Sequence, residues 1–385
     1  MIKPSVCNAV VGSNGNEYCS IRELARELGI SKSTISKSIK KNGSYRKNGI
    51  TYQVKGAQND AVKPNGKSKM EETFGENVIK ENEEEFKEYL EAKKAVSQPF
   101  ENYHFKFKEK ELGYKYAVAL FSDAHIEETV KPSSVLGKNE YNIDIARERI
   151  ENYFVNLVNC LNADEADYLI FASLGDTISG YIHEELAQCN SMTPLEATVE
   201  AQNLIYSGLC YICENIKTVK KIEFIGIVGN HSRTTKKIQH ANGYKQSYEW
   251  IMYQNIMNQC KAKGLDINFN IPESEMAVVT APDGRVFMFM HGYQVKSGGN
   301  GTVCGIYPAL NRLSMKLAKV FHQNKIYIGH FHSCVSIPNA VVNGSIIGYN
   351  AFALSNAFEC EEPAQMYELY DSNMGLMVTR LIYCK

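Results

Sequence analysis

Five apolar runs rich in β-forming residues each end abruptly in a short cluster of polar side chains. The runs read YAVALFSDAH, YLIFASLGD, IEFIGIVGNH, VFMFMHG and IYIGHFH. Amphipathic helical segments lie between several of them, for example at residues 143–161. Strands that alternate with helices predict an α/β fold in which ligands gather outside the carboxyl ends of the strands. We therefore expect the five polar clusters to converge on one point.

The side chains in these clusters are imidazoles, carboxylates and one amide. They are Asp123, His125, Asp176, Asn230, His231, His291, His330 and His332. A single histidine at a strand end is usually structural, but five such clusters in order are not explained in that way. Carboxylate, imidazole and amide ligands suit divalent ions such as Mn, Fe or Zn, and the lack of thiolates argues against a structural zinc site. Seven of these eight side chains as ligands would be too many for one tetrahedral ion and would suit two ions that share a bridging carboxylate.

Residues 17–54 predict two short helices followed by a hairpin. Ser20 can cap the first helix, Gly29 ends it, and Asn48-Gly49 is a strong hairpin turn signal. This is a helix-turn-helix pattern, whose second helix can enter the major groove of DNA. The alternative is a small helical domain with solvated lysines. The residues predicted to contact nucleic acid are Lys32, Ser33, Thr34, Ser36, Lys37 and Lys40.

Composition divides the chain into three parts. We predict a helix-turn-helix module at residues 1–55, a polar linker with an acidic helix at 56–99, and a catalytic domain at 100–385. Residues 18–55 hold 9 Lys and Arg against 2 Asp and Glu, whereas residues 113–385 hold 22 against 27. The 11 cysteines are scattered, as expected of reduced thiols in a cytoplasm. No apolar stretch approaches the ~20 residues of a membrane span, so we expect no membrane association.

The order Asp-x-His, Gly-Asp, Gly-Asn-His, His-Gly and Gly-His-x-His resembles the calcineurin-like metallophosphoesterase superfamily. VVNGSIIGY at residues 341–349 is similar to the glycine-rich strand that follows the last motif of that family. The resemblance covers about residues 113–385, and GNHSRTTKK and ISGYIHEEL are similar to a phage branch. It implies an α/β fold, a β-sandwich flanked by helices. The N-terminal stretch resembles the modular helix-turn-helix units attached to phage and homing nucleases.

The resemblance also implies a ligand set for each of two metal ions. Manganese is the expected metal, with iron, zinc, nickel or magnesium as alternatives. His231 is implied to sit over the reacting phosphate, where it stabilises charge or protonates the leaving oxygen. The ligands of the first ion would be Asp123, His125, Asp176 and His332. Asp176 would bridge to the second ion, whose set is completed by Asn230, His291 and His330.

Two positions depart from the pattern of the superfamily. Ser179 stands where its protein phosphatases carry an acid, which makes a protein phosphatase unexpected and leaves the implied catalytic histidine without its usual carboxylate partner. Many diesterases carry an acid directly after Gly-Asn-His, where this chain has Ser232 and then Arg233. Arg233 could clamp a phosphate bidentately, with Lys236 and Lys237 as nearby point charges. The alternative is a solvated basic loop.

These observations favour a two-metal phosphodiesterase that acts on nucleic acid, a DNA nuclease targeted by its helix-turn-helix. A phosphoesterase acting on nucleotides or cyclic nucleotides is the alternative, and a non-catalytic DNA-binding protein is the third hypothesis. His183 and the glycine-rich residues 296–305 are further candidates for the substrate groove, unless they are a surface histidine and a flexible connector. We expect a cytoplasmic location in a bacterium or a phage-infected host, and a homodimer is left open.

Overall fold

The computed structural model describes residues 10–42, 44–54, 83–94, 111–182, 184–295 and 306–385. The chain divides into two compact units, Met1–Lys106 and Phe107–Lys385. The domain boundaries predicted at residues 55 and 99, and the linker between them as far as residue 82, lie outside the described residues. So do His183 and residues 296–305.

Residues 10–54 of the first unit contain a four-stranded antiparallel sheet and two helices. Its strands are β1 (Val10–Gly12), β2 (Glu17–Tyr18), β3 (Tyr45–Lys47) and β4 (Ile50–Val54), and its helices are α1 (Ile21–Leu28) and α2 (Lys32–Asn42). The strand order is β2-β1-β4-β3. The sequence predicted α1, α2 and the β3–β4 hairpin but not β1 and β2, which are too short to show a periodic pattern.

Local chemistry explains where these elements begin and end. The Ser20 side chain accepts a hydrogen bond from the backbone of the first turn of α1, and Gly29 ends that helix in the left-handed region at φ 64°. Asn48 and Gly49 both have positive φ, 50° and 81°, which is what a two-residue hairpin turn requires. Residues 83–94 form helix α3, within the range for which an acidic helix is predicted, and it is exposed along its whole length.

Two sheets form the centre of the second unit. Its strands are β5 (Lys115–Phe121), β6 (Tyr168–Ser173), β7 (Lys221–Gly226), β8 (Ile267–Asn270), β9 (Met276–Thr280), β10 (Val286–Met290), β11 (Lys325–Ile328), β12 (Val335–Ile337), β13 (Ala340–Val342), β14 (Ala364–Asp371) and β15 (Gly375–Tyr383). One sheet has the order β15-β14-β5-β6-β7-β8 and the other β12-β13-β11-β10-β9. Strands β5 to β8 are parallel, as are β10, β11 and β13.

Helices cover the outer faces of both sheets. They are α4 (Ile143–Asp164), α5 (Leu186–Cys189), α6 (Pro194–Asn215), α7 (Tyr248–Lys263), α8 (Tyr307–Phe321) and α9 (Ala351–Ser355), with short 3₁₀ helices at Pro132–Val135 and Gly243–Gln246. Helices α4, α6 and α7 share a core with the six-stranded sheet, and α8 packs on the five-stranded sheet. A third core lies between the sheets. The predicted α/β fold, a β-sandwich flanked by helices, is confirmed.

The packing explains why the strands read as almost continuous apolar runs. In β5, Ala119 and Phe121 belong to the core shared with the helices, whereas Val118 and Leu120 belong to the core between the sheets. Both faces are therefore buried, and no polar alternation is expected. Across the described ranges, every helix is too short or too polar to cross a lipid bilayer.

Candidate metal centre

The predicted site residues follow strands of both sheets rather than of one. The ends of β5, β6 and β7 deliver side chains from the six-stranded sheet, and the ends of β10 and β11 deliver them from the five-stranded sheet. The strand ends of both sheets therefore come together at one end of the sandwich. Stacked sheets bring five strand ends closer together than a single sheet, in which neighbouring strands lie ~4.8 Å apart, would do.

The structure gathers six of the predicted ligands into two groups of three. The first ligand group is Asp123, His125 and His332, and the second is Asp176, His291 and His330. Within each group, all the ligand atoms lie within 4.8 Å of one another. The resemblance divided these residues in the same way, with Asp176 shared between the ions. The sharing of Asp176, like the ligand assignment as a whole, stays a prediction.

The second group has the features that a bound cation would satisfy. Nε2 of His291 lies 2.8 Å from Oδ2 of Asp176, yet that nitrogen has no aligned hydrogen-bond partner among the described residues. The buried Oδ1 of Asn230 also lacks a partner there. Nδ1 of His291 lies 2.6 Å from the Leu174 carbonyl, which holds the Nδ1 proton and leaves Nε2 as the nitrogen directed at the centre. These donors fit a divalent ion.

Asp123 in the first group is held by hydrogen bonds on both carboxylate oxygens. The backbone N–H of His330 donates to both, at 3.1 and 3.0 Å, and the Ser122 hydroxyl donates to Oδ2 at 2.5 Å. Because His330 belongs to the second group, this N–H ties the two groups together. The carboxylate is buried at 0% exposure.

The segment at residues 341–349 differs in part from its prediction as a strand. Strand β13 ends at Val342, and the rest is loop. The backbone N–H groups of Ile346 and Ile347 donate to the Asp123 carbonyl at 3.1 and 3.4 Å. The chain leaves the sheet here because these peptide groups hold the Asp123 loop instead of a neighbouring strand.

Two glycines allow the Gly-Asp and Gly-Asn-His loops to touch. Gly175 has φ 89°, and a Cβ there would overlap the Gly229 backbone. A Cβ on Gly229 would overlap the Asp176 carboxylate. The glycines of both motifs are therefore required by close approach, which brings Asp176 beside the loop that carries Asn230.

His231 lies beside the two groups and belongs to neither. Its backbone N–H donates to Oδ1 of Asp176 at 2.7 Å, and its ring centroid is 4.8 Å from that of His125. Nδ1 of His231 lies 3.0 Å from the Ser179 carbonyl oxygen. A peptide carbonyl thus takes the place of the carboxylate partner that the sequence lacks at position 179.

Arg233 braces its own loop. Its Nε donates to the Thr235 carbonyl at 3.2 Å and its Nη1 to the Asn230 carbonyl at 2.6 Å. Lys236 and Lys237 are exposed. The structure thus gives Arg233 a loop-supporting role, and its role as a phosphate clamp stays a prediction.

Three buried or half-buried acids at the site were missed by sequence reasoning: Glu127, Glu128 and Glu249. Glu249 accepts hydrogen bonds from the backbone N–H of Thr177 at 2.6 Å and of Gly229 at 2.7 Å, so it clamps the two touching loops. Burial and the nearby Asp176 raise the pKa of Glu249 to about 7. Glu127 and Glu128 could have been suspected because they lie two and three residues after the Asp-x-His motif. Glu249 has no local sequence signal.

The electrostatics differ between the histidines. Burial lowers the pKa of His125 well below its ordinary value and that of His330 to about 4, so both rings are neutral at pH 7. Burial alone would also lower the pKa of His291, but Asp176 outweighs it and raises the pKa to about 9. His125 and His330 thus offer neutral imidazoles beside ionised carboxylates, and a divalent cation at the second group would take the place of the proton that Asp176 favours on His291.

The predicted nucleic-acid contacts lie on α2 of the first unit. Ser36 is half-buried and the others are exposed, namely Lys32, Ser33, Thr34, Lys37 and Lys40. The hydroxyls of Ser33 and Thr34 each lie 2.8 Å from the Ser31 hydroxyl at the start of the helix. Exposure on one helix permits contact with a partner, and the nucleic-acid role stays a prediction.

No protein-family model matches this chain, and no curated protein matches it. Among solved structures, it is similar to a protein from Staphylococcus aureus described as a 5′-nucleotidase, with 10% identity over 70% of this chain and 54% of that one, at a TM-score of 0.33. It is also similar to a 5′-nucleotidase from Candida albicans, with 9% identity over 72% of this chain and 53% of that one, at a TM-score of 0.32. The similarity to the Thermus thermophilus sulfate thiohydrolase SoxB is 10% identity over 71% of this chain and 57% of that one, at a TM-score of 0.27. The chain spans about half the length of these proteins. Similarity at this level does not determine an activity.

Proposed function

We propose that this protein is a metal-dependent phosphoesterase with two divalent ions. One observation carries the proposal: two groups of carboxylate and imidazole ligand atoms, each within 4.8 Å, share an edge of a β-sandwich. The unpartnered Oδ1 of buried Asn230 adds a further donor. When bound, two such ions lower the pKa of a water molecule and neutralise phosphate charge.

The protein's own residues then position the substrate and move a proton. His231, held through its backbone by Asp176 and through Nδ1 by the Ser179 carbonyl, has a fixed ring orientation. Nε2 of that ring would protonate the leaving oxygen, the role of a general acid. The rigid Gly-Asp and Gly-Asn-His loops, clamped by Glu249, keep this ring at a constant distance from the ligand groups.

We infer that the first substrates to consider are small phosphoesters, with nucleotides foremost. The support is charge, because residues 113–385 carry 22 Lys and Arg against 27 Asp and Glu. A surface that follows a nucleic-acid backbone is normally strongly basic. A small substrate needs only the local charge of the site. The 5′-nucleotidases among the similar structures are named for the same substrate class, but the charge balance is what supports the inference.

A second candidate is the hydrolysis of nucleic acid, and the first unit favours it. Residues 18–55 carry 9 Lys and Arg against 2 Asp and Glu. The lysines at positions 32, 37 and 40 are exposed along α2. A basic helix after a tight glycine turn is suited to phosphate and base contacts. In this case the first unit would bring DNA to the metal centre.

One experiment separates these functions. Metal-stripped protein is supplied with Mn²⁺, Fe²⁺, Zn²⁺, Ni²⁺ or Mg²⁺ and assayed on nucleotides, p-nitrophenyl phosphate, bis-p-nitrophenyl phosphate and labelled DNA. The variant Lys32→Glu/Lys37→Glu/Lys40→Glu reverses the charge of α2. A matched control reverses three exposed lysines of α7 and α8, Lys261, Lys316 and Lys319.

The expected result is metal-dependent hydrolysis of nucleotides that neither triple variant changes. DNA cleavage that only the α2 variant loses would instead establish the nucleic-acid function. If the protein hydrolyses none of these phosphoesters with any of the metals, the phosphoesterase proposal is wrong.

A further inference from the structure

Ser179 departs from the superfamily pattern, and its hydroxyl lies between a predicted ligand histidine and a carboxylate. We infer that Glu128, acting through the Ser179 hydroxyl, is the positioning residue that orients His125 in the first ligand group. This inference rests on the proposed function, since it concerns how the metal centre is held. It assigns a role to a carboxylate that lies outside both ligand groups.

A continuous chain of polar contacts carries the inference. Nδ1 of His125 lies 3.2 Å from the Ser179 hydroxyl oxygen, which lies 3.4 Å from Oε2 of Glu128. The other carboxylate oxygen, Oε1, accepts a hydrogen bond from Nδ2 of Asn350 at 3.0 Å. A carboxylate can only accept, so the serine hydroxyl donates to Glu128 and accepts from Nδ1–H of His125.

This direction of donation fixes the tautomer of His125. With the proton on Nδ1, the lone pair is on Nε2, which is the atom available to a cation in the first ligand group. The ring is buried at 3% exposure, where a misplaced proton or a rotated ring would be costly to correct. Glu128 would therefore influence a bound cation through the Ser179 hydroxyl and the His125 ring rather than by direct contact.

The backbone of Ser179 contacts a second histidine, His231. Its carbonyl lies 3.0 Å from Nδ1 of His231. Its N–H donates to Oε1 of Glu127 at 2.9 Å, and the next N–H, of Gly180, donates to the same oxygen at 2.8 Å. Two consecutive glutamates thus hold Ser179: Glu127 accepts from its backbone N–H, and Glu128 accepts from its side-chain hydroxyl. Because the peptide is held independently, a change in the hydroxyl can be separated from a change in the loop.

The pair of variants Glu128→Gln and Ser179→Ala tests the inference. Glutamine keeps the size of the side chain, and because Asn350 donates to the Oε1 position, its oxygen belongs there and its N–H₂ group faces the serine hydroxyl, which can then no longer donate. Alanine removes the hydroxyl and leaves the peptide contacts in place. Ser179→Thr keeps the hydroxyl and is the rescue variant. Glu165→Gln, at a glutamate whose side chain is 74% exposed, is the matched charge control.

The readouts are the stepwise affinities for Mn²⁺ by calorimetry, the visible absorption of the Co²⁺ form, and kcat and KM. Loss of an orienting partner of a metal-bound histidine typically weakens metal binding by ~10–100-fold. We expect that loss in one of the two binding steps for Glu128→Gln and for Ser179→Ala. The double variant should lose no more than either single variant, because both break one chain. Ser179→Thr and Glu165→Gln should bind both ions like the wild type.

Two results would overturn the inference: both metal steps within about twofold of wild type in Glu128→Gln and Ser179→Ala, or fully additive losses in the double variant. Unfolding of one single variant is no obstacle, because the other changes the same chain at a different residue. Metal affinity is measured without substrate. If the wild type bound two ions but hydrolysed no phosphoester, the proposed function would fail while this test remained decisive.

Discussion

Glu249 connects the fold to the metal centre, and replacing it should affect both. It is the second residue of α7 and is fully buried. Its oxygens accept from Thr177 N–H at 2.6 Å, Gly229 N–H at 2.7 Å and the Ser232 hydroxyl at 2.8 Å. Burial raises its pKa to about 7, so at pH 8 the carboxyl is ionised and can accept all three hydrogen bonds.

The expected cost follows from the donors that each variant leaves without a partner. The Ser232 hydroxyl can turn to the Ser247 hydroxyl, 2.7 Å away. Glu249→Gln retains one oxygen and so leaves one backbone N–H facing an N–H₂ group. A buried donor without a partner costs about 1–3 kcal/mol, so this variant should lose that amount of unfolding free energy. Glu249→Ala leaves two such N–H groups and should lose about 2–6 kcal/mol.

Urea unfolding at pH 8 with a chelator measures these losses, and Mn²⁺ calorimetry measures the effect on the site. Thr177 and Gly229 adjoin Asp176 and the Gly-Asn-His loop, so both variants should also weaken metal binding. Glu223→Gln is the matched control, since Glu223 is a buried glutamate of β7 that accepts from the Tyr168 hydroxyl at 2.5 Å. It should lose stability without a change in metal affinity. If Glu249→Ala unfolds within about 0.5 kcal/mol of wild type, or binds metal normally, the clamp reasoning is refuted.

Three further predictions concern the centre itself. His231→Ala should lower kcat by ~10²–10⁴-fold while both ions remain bound, and near-normal kcat or lost metal would contradict its assignment as a general acid. In chelator, the protein should lose stability as the pH rises from about 6.5 to 9. Asp176 raises the pKa of His291 to about 9 in the folded state, so the stabilising charge of His291 is present below pH 6.5 and is lost as the pH passes 9. Urea titrations across this range check the sign, and stability that rises with pH would refute it. Gly229→Ala should place a Cβ against Asp176 and so reduce both the free energy of unfolding and the affinity for Mn²⁺. Unchanged values would show that the Gly-Asp and Gly-Asn-His loops can move apart.

The strands that carry the site could be predicted from the sequence because each is buried on both faces. Such strands read as unbroken apolar runs, and the polar residues directly after them mark where the chain leaves the core. β5, β6, β7, β10 and β11 all follow this rule. The polar residues at the ends of these strands could therefore be identified from the sequence without knowing how the strands pair.

The partition into two sheets could not be read, because strand pairing depends on contacts between distant residues. The sequence does not distinguish β10, which pairs in the five-stranded sheet, from β7, which pairs in the other. The segment after Val342 is a loop and not the predicted strand, again because of contacts with a distant residue. Its apolar residues resemble a strand, but Ile346 and Ile347 use their peptide groups to hold Asp123.

The acids around the site were hidden for a physical reason as well. Glu249 follows its loop partners at the start of a separate helix, so only the tertiary structure brings it to Thr177 and Gly229. Glu128 is local in sequence to His125, yet its effect passes through Ser179 on another loop. A residue that supports a site through another side chain follows no fixed sequence spacing from the ligands, so a motif does not reveal it.

The backbone of the predicted ligands explains why so many supporting contacts are needed. Five of the seven have φ in the left-handed region, between 45° and 71°, although none is glycine: Asp123, His125, Asp176, His330 and His332. For residues with a Cβ this conformation costs roughly 1 kcal/mol or more each. The sum, about 5 kcal/mol by that figure, is of the same order as the net stability of many domains. Such loops persist only where other interactions over-determine them, and the buried glutamates provide these. We therefore expect variants of the supporting acids to release the strained loops before the sandwich unfolds, so that metal affinity falls at lower urea concentrations than the global transition.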